Sequence, residues 1–371
     1  MSIEDLAVPG VRRLTPYQPG KPIAELEREL GLSRIVKLAS NENPLGPSPK
    51  ALEAARGALD ALHLYPDGAG FELKAILSHK LAVDAAQITL GNGSNDVLDM
   101  VARAFLSPES AAVFSQHAFA VYPIATQAVG ATARVAPAHA GERGPRYGHD
   151  LTAMAALSDE QVRVVFLANP NNPTGTHFGR KDLVAFLKAL PDNTLVVLDE
   201  AYFEYVDEPK YPDGIALLKD FPNLIVTRTF SKAYGLAGLR VGYAVSSPEI
   251  ADFLNRVRQP FNVNSLALVA ATAALDDTEH LARTVKLNRR GLKQLSEAFA
   301  ERDLQFIPSV GNFITVDVGR AAGPVYDALL REGVIVRPVA NYGLPYHLRV
   351  TVGTETENQI FLDALDRVLS P

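Results

Sequence analysis

No cysteine occurs in the 371 residues, which excludes disulfides, thiol catalysis and thiolate metal sites. The absence is compatible with a reducing cytosol. Basic runs are missing as well. Lys and Arg number 36 against 42 Asp and Glu, a net charge of −6, and nothing in that balance supports a nucleic-acid partner. The longest apolar run, LALVAATAAL at 266–275, is about half of the roughly 20 residues that a membrane span needs, so no membrane partner is expected. The opening residues, MSIEDLAVPGVRRLTPYQ, lack the basic-then-apolar layout of a secretory signal, and the expected location is the cytoplasm. There is no repeat period and no low-complexity segment.

What remains is an ordinary globular composition, 47% hydrophobic and 21% charged, long enough for a large domain and a smaller one. The Pro/Gly-rich stretch ASNENPLGPSP (39–49) and the segment AGERGPRYGHD (140–150) read as loops. KALEAARGALDAL and FELKAILSHKLAV carry apolar residues at helical spacing. In the middle of the chain the β-rich runs RVVFLAN, TLVVLDE, NLIVTRTFS and RVGYAVS read as separated by helix-length, more polar segments such as GRKDLVAFLKAL. That alternation predicts an α/β fold with a mostly parallel sheet flanked by helices. From about residue 265 a long helical stretch leads into FIPSVGNFITVDV, VIVRPV and HLRVTVG, the pattern of a smaller α+β domain. The expected division is 45–260 for the large domain, with 1–44 and 261–371 forming the small one.

Ligands of parallel α/β sheets bind outside the carboxyl ends of the strands, so the residues delivered there carry the information. RVVFLAN runs into PNNPTG (170–175), TLVVLDE ends in Asp199-Glu200-Ala201-Tyr202, and NLIVTRTF ends in Ser231-Lys232. An amide, an acid with a phenol, and an amine thus share one edge of one sheet. Each alone has a plain structural explanation as a turn, a helix cap or a surface lysine; three together are much harder to dismiss. ITLGNGSNDVLDMVARAF (88–105) adds a strand, a glycine-rich turn and a helix start, whose backbone N–H groups attract phosphate. Ser231 and Arg240 can complete that cup through charge-assisted bonds. The turn has neither GxGxxG nor GK[ST], which argues against a nucleotide site.

A nucleophilic lysine must lose its proton near neutral pH, which desolvation and nearby cations promote. Lys232, beside a phosphate site and facing a carboxylate and a phenol, matches the needs of pyridoxal 5′-phosphate. Lys232 would take its aldehyde, Asp199 would keep its ring nitrogen protonated, and Asn172 and Tyr202 would serve its ring oxygen. Phe119 or Tyr122 of SQHAFAVYP could cover a ring face. No metal is called for.

With these residues assembled, the chain resembles the fold-type I, pyridoxal-phosphate-dependent aminotransferases, and most closely their histidinol-phosphate branch. SKAYGLAGLR together with NPNNPTG is specific for the family, and LTPYQPG near the start points to the branch. KLASNENPLGPS, YPDG, GNGSND, LDEAYFEY, IVRP and LRVTVGT follow the family's order over nearly the whole chain. The resemblance implies Lys232, Asp199 and Tyr202 as catalytic residues. It implies Ser94, Asn95, Ser231 and Arg240 around the cofactor phosphate, with Phe119, where many relatives carry tyrosine, on the ring. Tyr65 would reach the phosphate from a neighbouring subunit, which implies a homodimer. Tyr17, Asn41, Arg337 and Arg349 would meet the substrates, with Arg349 forking onto a carboxylate. The implied reaction joins histidinol phosphate and 2-oxoglutarate to imidazole-acetol phosphate and glutamate. Transamination of aromatic amino acids and decarboxylation of threonine phosphate stay open as alternatives, as does a non-catalytic module that kept the fold.

Overall fold

The computed structural model describes residues 2–370; Met1 and Pro371, the outermost residues of the expected small domain, lie outside it. In chain order the strands are β1 (Val36–Lys37), β2 (Ile88–Gly91), β3 (Ala111–Ser115), β4 (Thr132–Ala136), β5 (Val162–Ala168), β6 (Leu195–Asp199), β7 (Leu224–Thr229), β8 (Gly242–Val245), β9 (Phe306–Ile307), β10 (Phe313–Asp317), β11 (Val334–Ile335), β12 (Arg337–Pro338) and β13 (His347–Thr351).

β2 to β8 form a seven-stranded sheet in the order β2-β8-β7-β6-β5-β3-β4. The neighbours β4, β3, β5, β6 and β7 run parallel. β8 is antiparallel to both β7 and β2. The reason lies in the connection: 230–241 holds one short turn of 3₁₀-helix, Ala237–Leu239, and no α-helix to carry the chain back over the sheet as a parallel pairing requires.

The central strands are almost continuously apolar because both faces are covered. Val165, Leu167, Val196, Leu198 and Val226 pack under helices Phe71–Leu81, Arg180–Ala189 and Ser265–Leu275. The alternate residues Val164, Phe166, Val197 and Ile225 pack under Ser94–Phe105, Val121–Ala128 and Pro248–Val257. Helix Ser265–Leu275, expected in the small domain, belongs by its packing to the large sheet. Its sequence is apolar nearly all round, and it buries Ala267, Ala270, Ala271 and Ala274 there. Asp277 then caps the long amphipathic helix Thr278–Glu301.

The smaller lobe holds the antiparallel sheet β12-β13-β10-β9. Phe299, Ile314, Val350 and Phe361 are among its fully buried core residues. β1 pairs in parallel with β11, so Val36 and Leu38 of the N-terminal segment enter the same core. The loop that follows, 39–47, is thereby carried across to the carboxyl ends of the large sheet.

Candidate active site

Asp199 is the last residue of β6 and is almost fully buried. Strand alternation puts it on the same face as Val197, opposite Thr227 of β7 in register. Its Oδ2 accepts a 2.7 Å hydrogen bond from the Tyr122 hydroxyl, and Oδ1 accepts one of 3.2 Å from Thr227. Burial raises its pKa, while Tyr122, Thr227, the Ala201 N–H and the charge of Lys232 oppose the rise. Asp199 makes no ion pair among the described residues. Lys232 lies three residues beyond the end of β7 and donates to the Ser40 carbonyl at 3.1 Å. Burial, then the charges of Arg349 and Arg240, bring its pKa down to about 7 against the opposing pull of Glu42 and Asp199. A free amine near neutral pH follows.

Beside the lysine, helix Ser94–Phe105 begins at Gly93, whose φ of +80° lies in the region that favours glycine. A Cβ at Gly93 would stand 2.5 Å from Arg240 Nη2, and one at Gly242 would stand 2.5 Å from the Ser94 nitrogen. These glycines let the guanidinium and the next strand close on the helix start. Arg240 Nη1 donates to Ser231 Oγ at 3.2 Å and to the Ala237 carbonyl at 3.1 Å, and Arg240 makes no ion pair among the described residues. First-turn N–H groups, two serine hydroxyls and an unpaired cation form an anion cradle.

On the other side, the small lobe supplies Arg337 from β12 and Arg349 from β13. Arg349 Nη1 donates to Asn172 Oδ1 at 2.6 Å and Nη2 to the Ala39 carbonyl. Its Nε is buried without a partner. Arg337 donates to the Gln18 carbonyl at 2.5 Å and sits 5.8 Å from the Tyr17 ring. Neither guanidinium is neutralised by a carboxylate among the described residues. Asn41 donates to the Tyr202 hydroxyl at 2.8 Å, and burial pushes that phenol up to about 12. Phe119 meets Tyr17 and Tyr122 edge-on, with ring centres 6.5 and 5.9 Å away.

One cavity of about 190 Å³ joins these groups. Tyr17, Asn41, Ser94, Asn95, Phe119, Asn172, Asp199, Tyr202, Ser231, Lys232, Arg240, Arg337 and Arg349 all line it. Tyr65 does not. It is 82% exposed and stacks on Phe261 at 4.8 Å. Sequence reasoning missed Thr227, although a threonine interrupting the apolar run LIVTRT was a visible signal. It offered Tyr122 only as an alternative ring cover; the structure buries that ring flat against Phe166, 5.1 Å away at 7°, with its hydroxyl on Asp199. Ser40 was hidden, because a backbone carbonyl leaves no trace in residue identity.

The donor set suits pyridoxal 5′-phosphate: an anion cradle closed by glycine, a buried unpaired carboxylate, an amine deprotonated near neutrality, and an aromatic wall. The orphaned Arg349 Nε and uncompensated Arg337 leave a second anion-binding end to the same cavity.

The aminotransferase class I and II family model matches residues 33–365. The chain is 67% identical to histidinol-phosphate aminotransferase 2 of Methylococcus capsulatus over all of both chains. It is 64% identical to histidinol-phosphate aminotransferase 2 of Pseudomonas aeruginosa over 98% of each. Among solved structures it is similar to the histidinol-phosphate aminotransferase of Sinorhizobium meliloti in complex with pyridoxal 5′-phosphate. The TM-score is 0.89, with 30% identity over 98% of this chain and 97% of the other.

Proposed function

The chain belongs to the aminotransferase class I and II family, and from that premise we propose that it transfers an amino group from histidinol phosphate to 2-oxoglutarate. The products are imidazole-acetol phosphate and glutamate, a step of histidine biosynthesis. Its cofactor is pyridoxal 5′-phosphate. In this proposal Ser94, Asn95, Ser231 and Arg240 bind the cofactor phosphate, Phe119 covers the ring, and Asn172 and Tyr202 bond its oxygen. When bound, the cofactor supplies an aldehyde that takes up the amino group and a protonated ring that withdraws the electron pair left by proton removal. Lys232 tethers it. With the cofactor bound, the free Lys232 Nζ would serve as general base toward the substrate carbon and would deliver that proton to the carbon that was the aldehyde's, rather than back to the substrate. Asp199 keeps the positive charge of the ring nitrogen in place.

The observation that carries the substrate assignment is the pair Arg337 and Arg349, both without an ionic partner among the described residues and both facing the cavity of Lys232. Histidinol phosphate carries a phosphate and no carboxylate; glutamate carries two carboxylates. One arginine-rich end, completed by Tyr17 and Asn41, suits both in turn, as bidentate guanidinium geometry favours. Steady-state turnover with 2-oxoglutarate is the test, comparing histidinol phosphate with phenylalanine, and threonine phosphate is assayed separately for decarboxylation. Histidinol phosphate is expected to have the highest kcat/KM. A higher value for phenylalanine, or release of carbon dioxide from threonine phosphate as the principal activity, would replace this assignment.

The active unit in this proposal is a homodimer, with Tyr65 completing the phosphate cradle of the partner subunit. Its exposure, its stacking on Phe261 and its absence from its own cavity's lining support that role. Leu62, Leu64 and Phe71 add exposed apolar surface to the same region of the chain. In the same proposal the lobes divide at Asp276–Asp277 rather than at 260, a reading that the packing of helix Ser265–Leu275 supports. The cytoplasm is the proposed location, in keeping with a biosynthetic role; no described helix is long and apolar enough to cross a membrane.

A further inference from the structure

We propose that Tyr122 is a positioning residue that fixes where a proton rests between Asp199 and the cofactor's ring nitrogen. This rests on the cofactor reading above. Tyr122 is fully buried in helix Val121–Ala128, one turn along from Phe119. Its ring is clamped flat on Phe166 and meets Phe119 edge-on, so the hydroxyl has little freedom. That hydroxyl ends 2.7 Å from Asp199 Oδ2, the shorter of the two side-chain bonds the carboxylate accepts.

The chemistry follows from which form of the acid each partner favours. A hydroxyl donating to a carboxylate stabilises the anion and makes it a weaker base. An aspartate that is a weaker base leaves a shared proton on the ring nitrogen; a stronger one draws it toward its own oxygen. Only the first arrangement keeps a full positive charge on the ring, where it stabilises the carbanion. Burial pulls Asp199 toward the neutral acid, and with no ion pair among the described residues, hydrogen bonds must offset that pull. Thr227 contributes one at 3.2 Å from the neighbouring strand. Tyr122 contributes the short one. Burial and the neighbouring Asp199 charge keep the Tyr122 phenol protonated, with Tyr202 and Tyr342 acting in the same direction. It is therefore a donor throughout the working pH range and never a competing base. Lys232 faces Asp199 as well, and its charge disappears as it deprotonates; the Tyr122 bond does not depend on that charge.

The test uses holoenzyme reconstituted with cofactor labelled with ¹⁵N in the ring. It compares wild type, Tyr122→Phe and a variant with 3-fluorotyrosine at position 122. Tyr122→Phe keeps the ring packing and removes only the donor. Its ¹⁵N resonance is expected to move toward the unprotonated pyridine position, with kcat falling about tenfold to a hundredfold, as the loss of a hydrogen bond to a charged group implies, and KM little changed. Fluorotyrosine, a more acidic phenol and a stronger donor, is expected to hold the resonance at or beyond the wild-type protonated position. An unchanged resonance in Tyr122→Phe, on protein carrying the normal cofactor adduct at Lys232, overturns the proposal. So does a shift of the fluorotyrosine protein toward the unprotonated position. Absence of any Lys232 adduct in wild type, read by mass spectrometry after borohydride reduction, overturns instead the cofactor reading on which this rests.

Discussion

Asp199 and Glu200 are adjacent carboxylates at the end of one strand, both buried, and the sheet treats them in opposite ways. Strand alternation turns Asp199 to the cavity face and Glu200 to the other. Across from them on β7, Thr227 and Arg228 split in the same sense. Glu200 Oε2 accepts two bonds from Arg228, at 2.9 and 2.7 Å, and its Oε1 accepts the Gly214 N–H at 2.8 Å. Arg228 also reaches Asp213 at 2.8 Å and lies 3.5 Å over the Phe203 ring. Arg228 thus finds its anionic partners within the chain. Among the described residues Asp199 has hydrogen bonds but no cation paired to it, while Arg240, Arg337 and Arg349 lack anions. Buried or cavity-facing charge without a partner is expensive, so a fold that gathers three such guanidiniums around one cavity is reserving that cavity for ligands.

Removing the amine breaks the cavity face most completely. Lys232→Ala is expected to abolish turnover together with covalent capture of the cofactor, while a melt monitored by circular dichroism stays close to that of the wild-type apoenzyme. Full steady-state transamination by this variant would falsify the assignment of Lys232. The retained fold is the informative half, because Lys232 holds only one carbonyl, that of Ser40.

Exchanging amides for acids on the two faces is the next largest effect and the direct test of the comparison. Asp199→Asn is expected to keep the cofactor bound and to lower kcat by about 10²- to 10³-fold, the scale for losing one preorganised electrostatic partner, with thermal stability nearly unchanged. Glu200→Gln should do the reverse. It takes from Arg228 the buried one of its two carboxylates and leaves the half-exposed Asp213, a loss expected to destabilise by less than the about 3–5 kcal/mol of a fully stranded buried charge, and each molecule that folds should turn over normally. Denaturant titrations alongside kcat separate the two. If both variants lose stability alike, the matched and unmatched faces are not different in kind.

This contrast was only half legible in the sequence. Lys232, Asp199 and Asn172 could be proposed because strand ends in a parallel sheet converge, and a strand end is visible in residue patterning; Arg240, ahead of the antiparallel β8, was proposed only as a cation to complete the phosphate cup. Period-2 alternation in LDE and VTRTF also assigns faces. What it does not reveal is the partner: Asp213 and Gly214 come from a loop, and nothing in their identities ties them to Arg228 and Glu200. Tyr122 could be placed near the site but not given its bond, since a tyrosine one helical turn from Phe119 suits ring cover equally well. Helix Ser265–Leu275 shows the converse case. Its apolarity announced burial without saying against which sheet, and chain order suggested the wrong one.

Smaller, and dependent on pH, is the capture of cofactor by the apoenzyme. The folded Lys232 titrates at about 7, below the ordinary lysine value of 10.5. Below that point the amine is protonated and cannot attack an aldehyde; above it the amine is free. Stopped-flow absorbance should show the capture rate rising with pH through a midpoint near about 7 and then levelling. The stability linkage has the same sign: between the two values the unfolded chain binds more protons than the folded one, so the apoenzyme gains stability as pH rises through that interval. Arg349→Gln, which removes a neighbouring cation, should move the capture midpoint upward. A midpoint left unchanged by that variant would separate the depressed lysine from the unpaired arginines.

The smallest effect is expected where the cavity wall carries no charge at all. Phe119 presents only an aromatic surface, held edge-on between Tyr17 and Tyr122, so in the proposed site its contribution to cofactor binding would be stacking rather than compensation of charge. Phe119→Tyr preserves that surface and adds a hydroxyl at a half-buried position next to open cavity. A single added hydrogen bond is worth about 1 kcal/mol, which limits the change in cofactor dissociation constant to about tenfold in either direction. Phe119→Leu removes the flat face and should weaken binding by more than the tyrosine substitution changes it, as the loss of an aromatic pair beyond simple area implies. Fluorescence titration of both variants with the cofactor ranks them. If the tyrosine variant moves further than the leucine one, the polar atoms of the wall govern binding there too, and the aromatic wall must be counted with the unmatched charges.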